Sequence, residues 1–160
     1  MTKPMNKIGL ALVVVIGLCL GLLWPSTPRA LSAHLGQAND VVLQRSSDGH
    51  FYADAEVNGT TVHFLVDTGA STVALSKEDA ARAGVSFDPR RFELLGSGAS
   101  GMVRGEATTL RELKLGSISQ THVDAAVVEG SDVSLLGLPF LKKIDEIVIR
   151  KDEMTLRMAA

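Results

Sequence analysis

After residue 50 the apolar positions fall in short, strand-length runs punctuated by glycine, and one earlier stretch, residues 8–24, is apolar with no charge at all. The first two runs, Tyr52–Val57 and Thr60–Val66, flank Asn58-Gly59. That dipeptide is the strongest short hairpin signal, because both residues tolerate the positive φ of a type I′ turn. The second run ends in Phe64-Leu65-Val66 and delivers the chain into Asp67-Thr68-Gly69-Ala70-Ser71. After Val73-Ala74-Leu75, Ser76 with Asp79 three residues on reads as a capping box, opening a short helix that Gly84 closes. The remainder is β in pattern: Phe92 to Leu95, Met102 to Leu115 with a break near Thr109, His122 to Val128, and 147–158 turning at Lys151-Asp152-Glu153. The chain is predicted to be all-β with one or two short helices.

The uncharged run 8–24 follows Lys3 and Lys7, and only Arg29 closely follows it. This pattern predicts a membrane signal anchor with a cytoplasmic tail at 1–7, a single transmembrane helix at 8–24, and a domain facing outward, in a bacterium the periplasm. A cleaved signal peptide is the other reading, but neither Pro28-Arg29-Ala30 nor Leu31-Ser32-Ala33 is a good small-x-small site. Residues 25–45 read as a proline-bearing linker and 46–160 as the globular domain. The chain has 160 residues and a formal net charge of -2, which allows one modest core and excludes a two-lobed enzyme; nothing in it suggests a nucleic-acid partner. Its only cysteine, Cys19, lies inside the apolar run, so no intrachain disulfide staples the fold.

Asp67 is the candidate catalytic residue, because a buried strand followed by a small-residue turn aims one carboxylate outward. The plainer reading is an Asp-Gly turn capped by its own carboxylate. A second segment, Ser134-Leu135-Leu136-Gly137-Leu138-Pro139-Phe140-Leu141, places an apolar pair before Gly and then enters a short helix with Pro in its first turn. Gly96-Ser97-Gly98-Ala99-Ser100-Gly101 fits a dinucleotide fingerprint, with Asp124 at about the right distance. The strand-rich, Gly105-broken segment after it argues against the helix a nucleotide needs, so neither nucleotide nor other cofactor is expected. His34, His50, His63 and His122 lack the spacings of a metal site, and Ser97 and Ser100 do not form a nucleophile elbow. Asn58-Gly59-Thr60 matches a glycosylation acceptor, although the hairpin explains it better.

Taken together, "FLVDTGAS" and "LLGLPFL" resemble the retropepsin-like aspartic proteases, closest to small bacterial members with an N-terminal membrane anchor. The resemblance spans about residues 50–157. It implies a small closed β-barrel-like fold in which Leu135, Leu136 and Gly137 pack beneath the Asp67 loop, and a glycine-rich flap at Gly96, Ser97, Gly98, Ala99, Ser100 and Gly101. It further implies that Thr68 bonds across a two-fold axis, that Gly69 offers backbone groups to the substrate, and that Ala70 and Ser71 complete the catalytic loop. Ser71 stands where retroviral members usually carry Asp. One chain supplies one such turn, so an endopeptidase of this kind requires a homodimer and takes a peptide or protein substrate. The alternative is a membrane-tethered peptide-binding or scaffold domain of the same fold that does not cleave.

Overall fold

A computed structural model of the chain describes residues 40–98 and 101–159. The expected tail, anchor and most of the linker, together with Ala99, Ser100 and His34, lie outside the described residues. In chain order the elements are β1 (Val41–Gln44), β2 (Tyr52–Val57), β3 (Thr60–Val66), β4 (Val73–Ser76), α1 (Lys77–Arg82) and a 3₁₀ turn at Pro89–Arg91. They continue with β5 (Glu93–Gly98), β6 (Gly101–Leu115), β7 (Ile118–Val128), β8 (Ser134–Leu136), α2 (Leu138–Leu141), β9 (Glu146–Arg150) and β10 (Glu153–Arg157). None of the described helices is long and apolar enough to cross a membrane.

Strand alternation builds the core. On β2, Ala53, Ala55 and Val57 are buried while Asp54 and Glu56 face water, and β3 buries Val62 and Phe64 between exposed Thr61 and His63. The two strands pair from Tyr52↔Leu65 to Val57↔Thr60, and Asn58 and Gly59 take φ of 51° and 91° as the turn demands. Seven strands form one sheet in the order β2-β3-β8-β4-β7-β6-β5. An extra pairing of β2 with β6, at Glu56↔Lys114 and Val57↔Leu113, closes six of them into a barrel. Phe64, Leu75, Leu110, Leu113, Leu136 and Phe140 are fully buried within it. Each contributes about 1.5–3 kcal/mol of burial free energy.

A separate three-stranded sheet, β1-β10-β9, joins the two ends of the described chain. Residues 41–44, expected in the linker, form β1 here, paired antiparallel to β10 from Val41↔Leu156 to Gln44↔Glu153. The Arg157 guanidinium fastens the same edge, with its Nη2 2.9 Å from Oδ2 of Asp40. Two other expectations are corrected. β6 runs unbroken through Thr109, which pairs with Asp124 on β7, and the backbone irregularity falls instead at His122, φ 53°. β5 starts at Glu93 and reaches Gly98, because Phe92 caps the 3₁₀ turn and is buried beside Phe87.

Candidate active site

Asp67 sits immediately after β3, where two backbone bonds hold it from opposite directions. The Val66 amide donates to the Phe51 carbonyl at 2.9 Å, and the Asp67 amide donates to the Leu136 carbonyl at 3.1 Å. The turn then closes on itself: the Gly69 amide donates to Asp67 Oδ1 at 2.8 Å, and the Ala70 amide to the Asp67 carbonyl at 3.2 Å. The self-capped turn of the plainer reading is therefore present, and it also fixes the side-chain rotamer of the acid. Among the described residues no other donor reaches the carboxylate. Asp67 is partly buried, whereas Thr68, Gly69 and Ser71 are exposed on the surface beside it.

Beneath this loop lies β8, parallel to β3 in the register Phe64↔Ser134, Leu65↔Leu135, Val66↔Leu136, with Ala74 of β4 on its other side. Three-residue β8 thus bridges the strand that enters the turn and the strand that leaves it. Gly137 follows, and a Cβ there would stand 2.1 Å from the Thr72 carbonyl oxygen and 2.8 Å from that of Ala70. Only glycine lets the loop backbone settle onto the strand. The Leu138 amide completes the contact by donating to the Ala70 carbonyl at 2.9 Å, and Leu138 opens α2 with Pro139 in its first turn. The structure brings together the expected Leu135-Leu136-Gly137 segment and the Asp67 turn.

The glycine-rich segment is the far end of the β5–β6 hairpin, with Ser97 opposite Met102 and Gly98 opposite Gly101. A strand, and no helix, follows these glycines, so the backbone cradle of a dinucleotide site is not formed. A register shift between Leu94 and Gly96 turns the hairpin, leaving Leu94 and Met102 exposed. Leu95 and Val103 point the other way and pack with Leu135, Ala74, Ala126 and Val128 in a small apolar cluster apart from the main core. Nothing local in the sequence tells which side of a glycine-rich strand faces a neighbour, so these contacts are not legible in it.

The remaining candidates lie elsewhere. His50, His63 and His122 are exposed, and His63 is engaged by Asp54 at 2.6 Å and stacked on Tyr52. The described residues contain no group of three or more acidic, His or Cys side chains able to hold a metal. Asn58 uses its side-chain oxygen to accept the Glu112 amide at 3.1 Å, which ties the hairpin turn to β6.

Residues 53–143 match the family described as "gag-polyprotein putative aspartyl protease". The chain belongs to this family of retropepsin-like aspartic proteases. It is similar to the crystal structure of a retropepsin-like aspartic protease from Rickettsia conorii, with 32% identity and a TM-score of 0.64 over 75% of this chain and 100% of that one. It is also 37% identical over 120 residues to an uncharacterized protein in the cobV 5′ region of a Sinorhizobium species, and 32% identical over 120 residues to an uncharacterized protein of Rickettsia prowazekii (strain Madrid E). These alignments cover 74% and 75% of this chain. The chain spans about half the length of these curated relatives, 52% of each. The all-β barrel with short helices is the architecture expected of the retropepsin-like family.

Proposed function

We propose that the domain is an aspartic endopeptidase that hydrolyses peptide bonds between two Asp67 carboxylates of a homodimer. The observation that carries this reading is the Asp67 turn itself: a rotamer-fixed carboxylate, backed by Leu136 and Gly137, on an otherwise exposed loop. Similarity to the retropepsin-like aspartic protease from Rickettsia conorii supports it. A single carboxylate cannot act as acid and base on one peptide bond at the same moment. A two-fold axis beside the turn supplies the second from the partner, because an isologous contact places the same residue on both sides. Two carboxylates so close share one proton. The ionised one removes a proton from a water, which attacks the scissile carbonyl while the protonated one polarises the carbonyl oxygen. Thr68 braces the two loops across the axis, and the β5–β6 hairpin covers an extended peptide bound as an added strand.

The apolar run at 8–24, preceded by Lys3 and Lys7, supports tethering to the inner membrane with the domain outside the cytoplasm. Confinement to one bilayer raises the effective concentration of partners and favours the dimer. The test is incubation of the purified protein with a peptide library between about pH 4 and pH 7, beside an Asp67→Asn control. Cleavage by the wild type that vanishes in Asp67→Asn, with the circular dichroism unchanged, is the expected result. Equal cleavage by both proteins overturns the assignment, and a folded, dimeric wild type that binds peptides without cutting them favours the scaffold alternative.

A further inference from the structure

Ser76 and Asp79 form half of the expected capping box. The Asp79 amide donates to Ser76 Oγ at 3.1 Å, as the box requires. The return bond, from the Ser76 amide to the Asp79 carboxylate, is replaced by a relay through another part of the chain. The Ser76 amide donates to Ser134 Oγ at 3.1 Å, and the Ser134 hydroxyl donates to Asp79 Oδ2 at 2.5 Å. The other Asp79 oxygen holds Arg82. Ser134 is 0% exposed, and the side chain of Asp79 only 14%. A buried hydroxyl that is both donor and acceptor to fixed groups has one available orientation.

Ser134 is the first residue of β8, two positions before the carbonyl that receives the Asp67 amide. Besides this bracket, the β8 backbone is held by its short ladder to β3, one pairing with Ala74 and the bond from the Asp67 amide, while Leu135 and Leu136 pack among apolar neighbours. We propose that Asp79, acting through Ser134, is a positioning residue that fixes β8 beneath the Asp67 turn and thereby the aim of the Asp67 carboxylate. The catalytic consequence rests on the aspartic-protease reading above; the positioning itself does not. Burial raises the pKa of Asp79, but the bonds from Ser134, Arg82 and Ser76 outweigh it and leave the carboxyl below its ordinary value. These bonds therefore favour the charged form of the carboxylate within the bracket.

The experiment compares Asp79→Ala, Ser134→Ala and Asp79→Asn with wild type in the full chain, by amide hydrogen exchange and by cleavage of acid-denatured casein. Exchange of the Asp67 and Leu138 amides is expected to rise about tenfold or more in both alanine variants, while amides of the β6–β7 hairpin keep their rates. Casein turnover falls about tenfold or more in kcat with little change in KM. Asp79→Asn, which keeps an acceptor for the Ser134 hydroxyl, retains most of the protection. Unchanged Asp67 exchange in both alanine variants, or a rise spread equally over β6 and β7, overturns the proposal. So does an Asp79→Asn protein as unprotected as Asp79→Ala. If wild type leaves casein intact yet the exchange pattern holds, the positioning stands and the protease reading fails.

Discussion

The Asp67 amide is bonded to the Leu136 carbonyl at 3.1 Å, so the candidate acid is held in place by β8, a strand distant in the sequence. Its side chain is in turn set by the Gly69 amide. The loop and β8 therefore behave as one rigid floor, and disturbance of either is expected to reach the carboxylate.

Gly137→Ala tests how tightly that floor is fitted. The added methyl would meet two backbone carbonyls, at Thr72 and Ala70, which cannot swing aside as a side chain could. Overpacking of this kind costs about 1–3 kcal/mol. A displacement of the carboxylate near 1 Å costs about 100-fold in kcat/KM. Thermal melts and peptide kinetics on the purified variant check both numbers; a variant with wild-type activity would show that the loop and β8 move independently.

Subunit mixing tests the requirement for two copies of Asp67. Combining equal amounts of wild type and Asp67→Asn, with time for exchange, is expected to lower total activity to about half that of the wild type alone. The loss comes from heterodimers with one acid. Activity unaffected by the mutant chains, when subunit exchange is demonstrated by a labelled partner, would mean that one turn suffices.

Acid stability follows from the carboxylates whose pKa values folding lowers. In Asp79, burial is outweighed by the Ser134, Arg82 and Ser76 bonds; Asp88 is held down by Arg90 and Asp48 by the His50 backbone amide and Tyr52. A carboxylate with a lower pKa in the folded state stabilises the fold above its unfolded value, and that contribution fades as pH falls through the folded value. The melting temperature is expected to drop below about pH 4. In Asp79→Asn the drop should be shallower, because one of the titrating groups is gone. Melting curves from pH 2.5 to 6 decide this.

Arg157→Leu probes the sheet that joins the two ends of the domain. Arg157 makes paired bonds to both oxygens of Asp40, whose side chain is 4% exposed, and also binds Glu146. Removing the cation takes from a buried carboxylate the counter-charge that Arg157 supplies, so stability is expected to fall. Urea denaturation should show that loss, and adding Asp40→Asn should recover much of it.

Several features needed only the sequence, because their causes lie within a few residues. Asn58-Gly59 sets the hairpin through its backbone preferences, Ser76 caps α1 through its own hydroxyl, and Pro139 favours the first turn of α2 with a preset φ. The segment around Asp67 and the Leu135-Leu136-Gly137 motif were legible for the same reason, each as a local pattern of apolar strand and glycine. Tertiary structure decided what depends on partners distant in the chain. Residues 41–44 become a strand because β10 offers an edge, and β6 stays continuous past Thr109 because β7 pairs with it. The Glu56↔Lys114 pairing closes the barrel, a contact that no local pattern encodes. Ser134 gave no sign of its role, since a serine at the head of a strand looks the same whether its hydroxyl meets water or completes a cap on another helix. Its partners Ser76 and Asp79 lie more than fifty residues away, and only the folded barrel brings them within hydrogen-bonding reach.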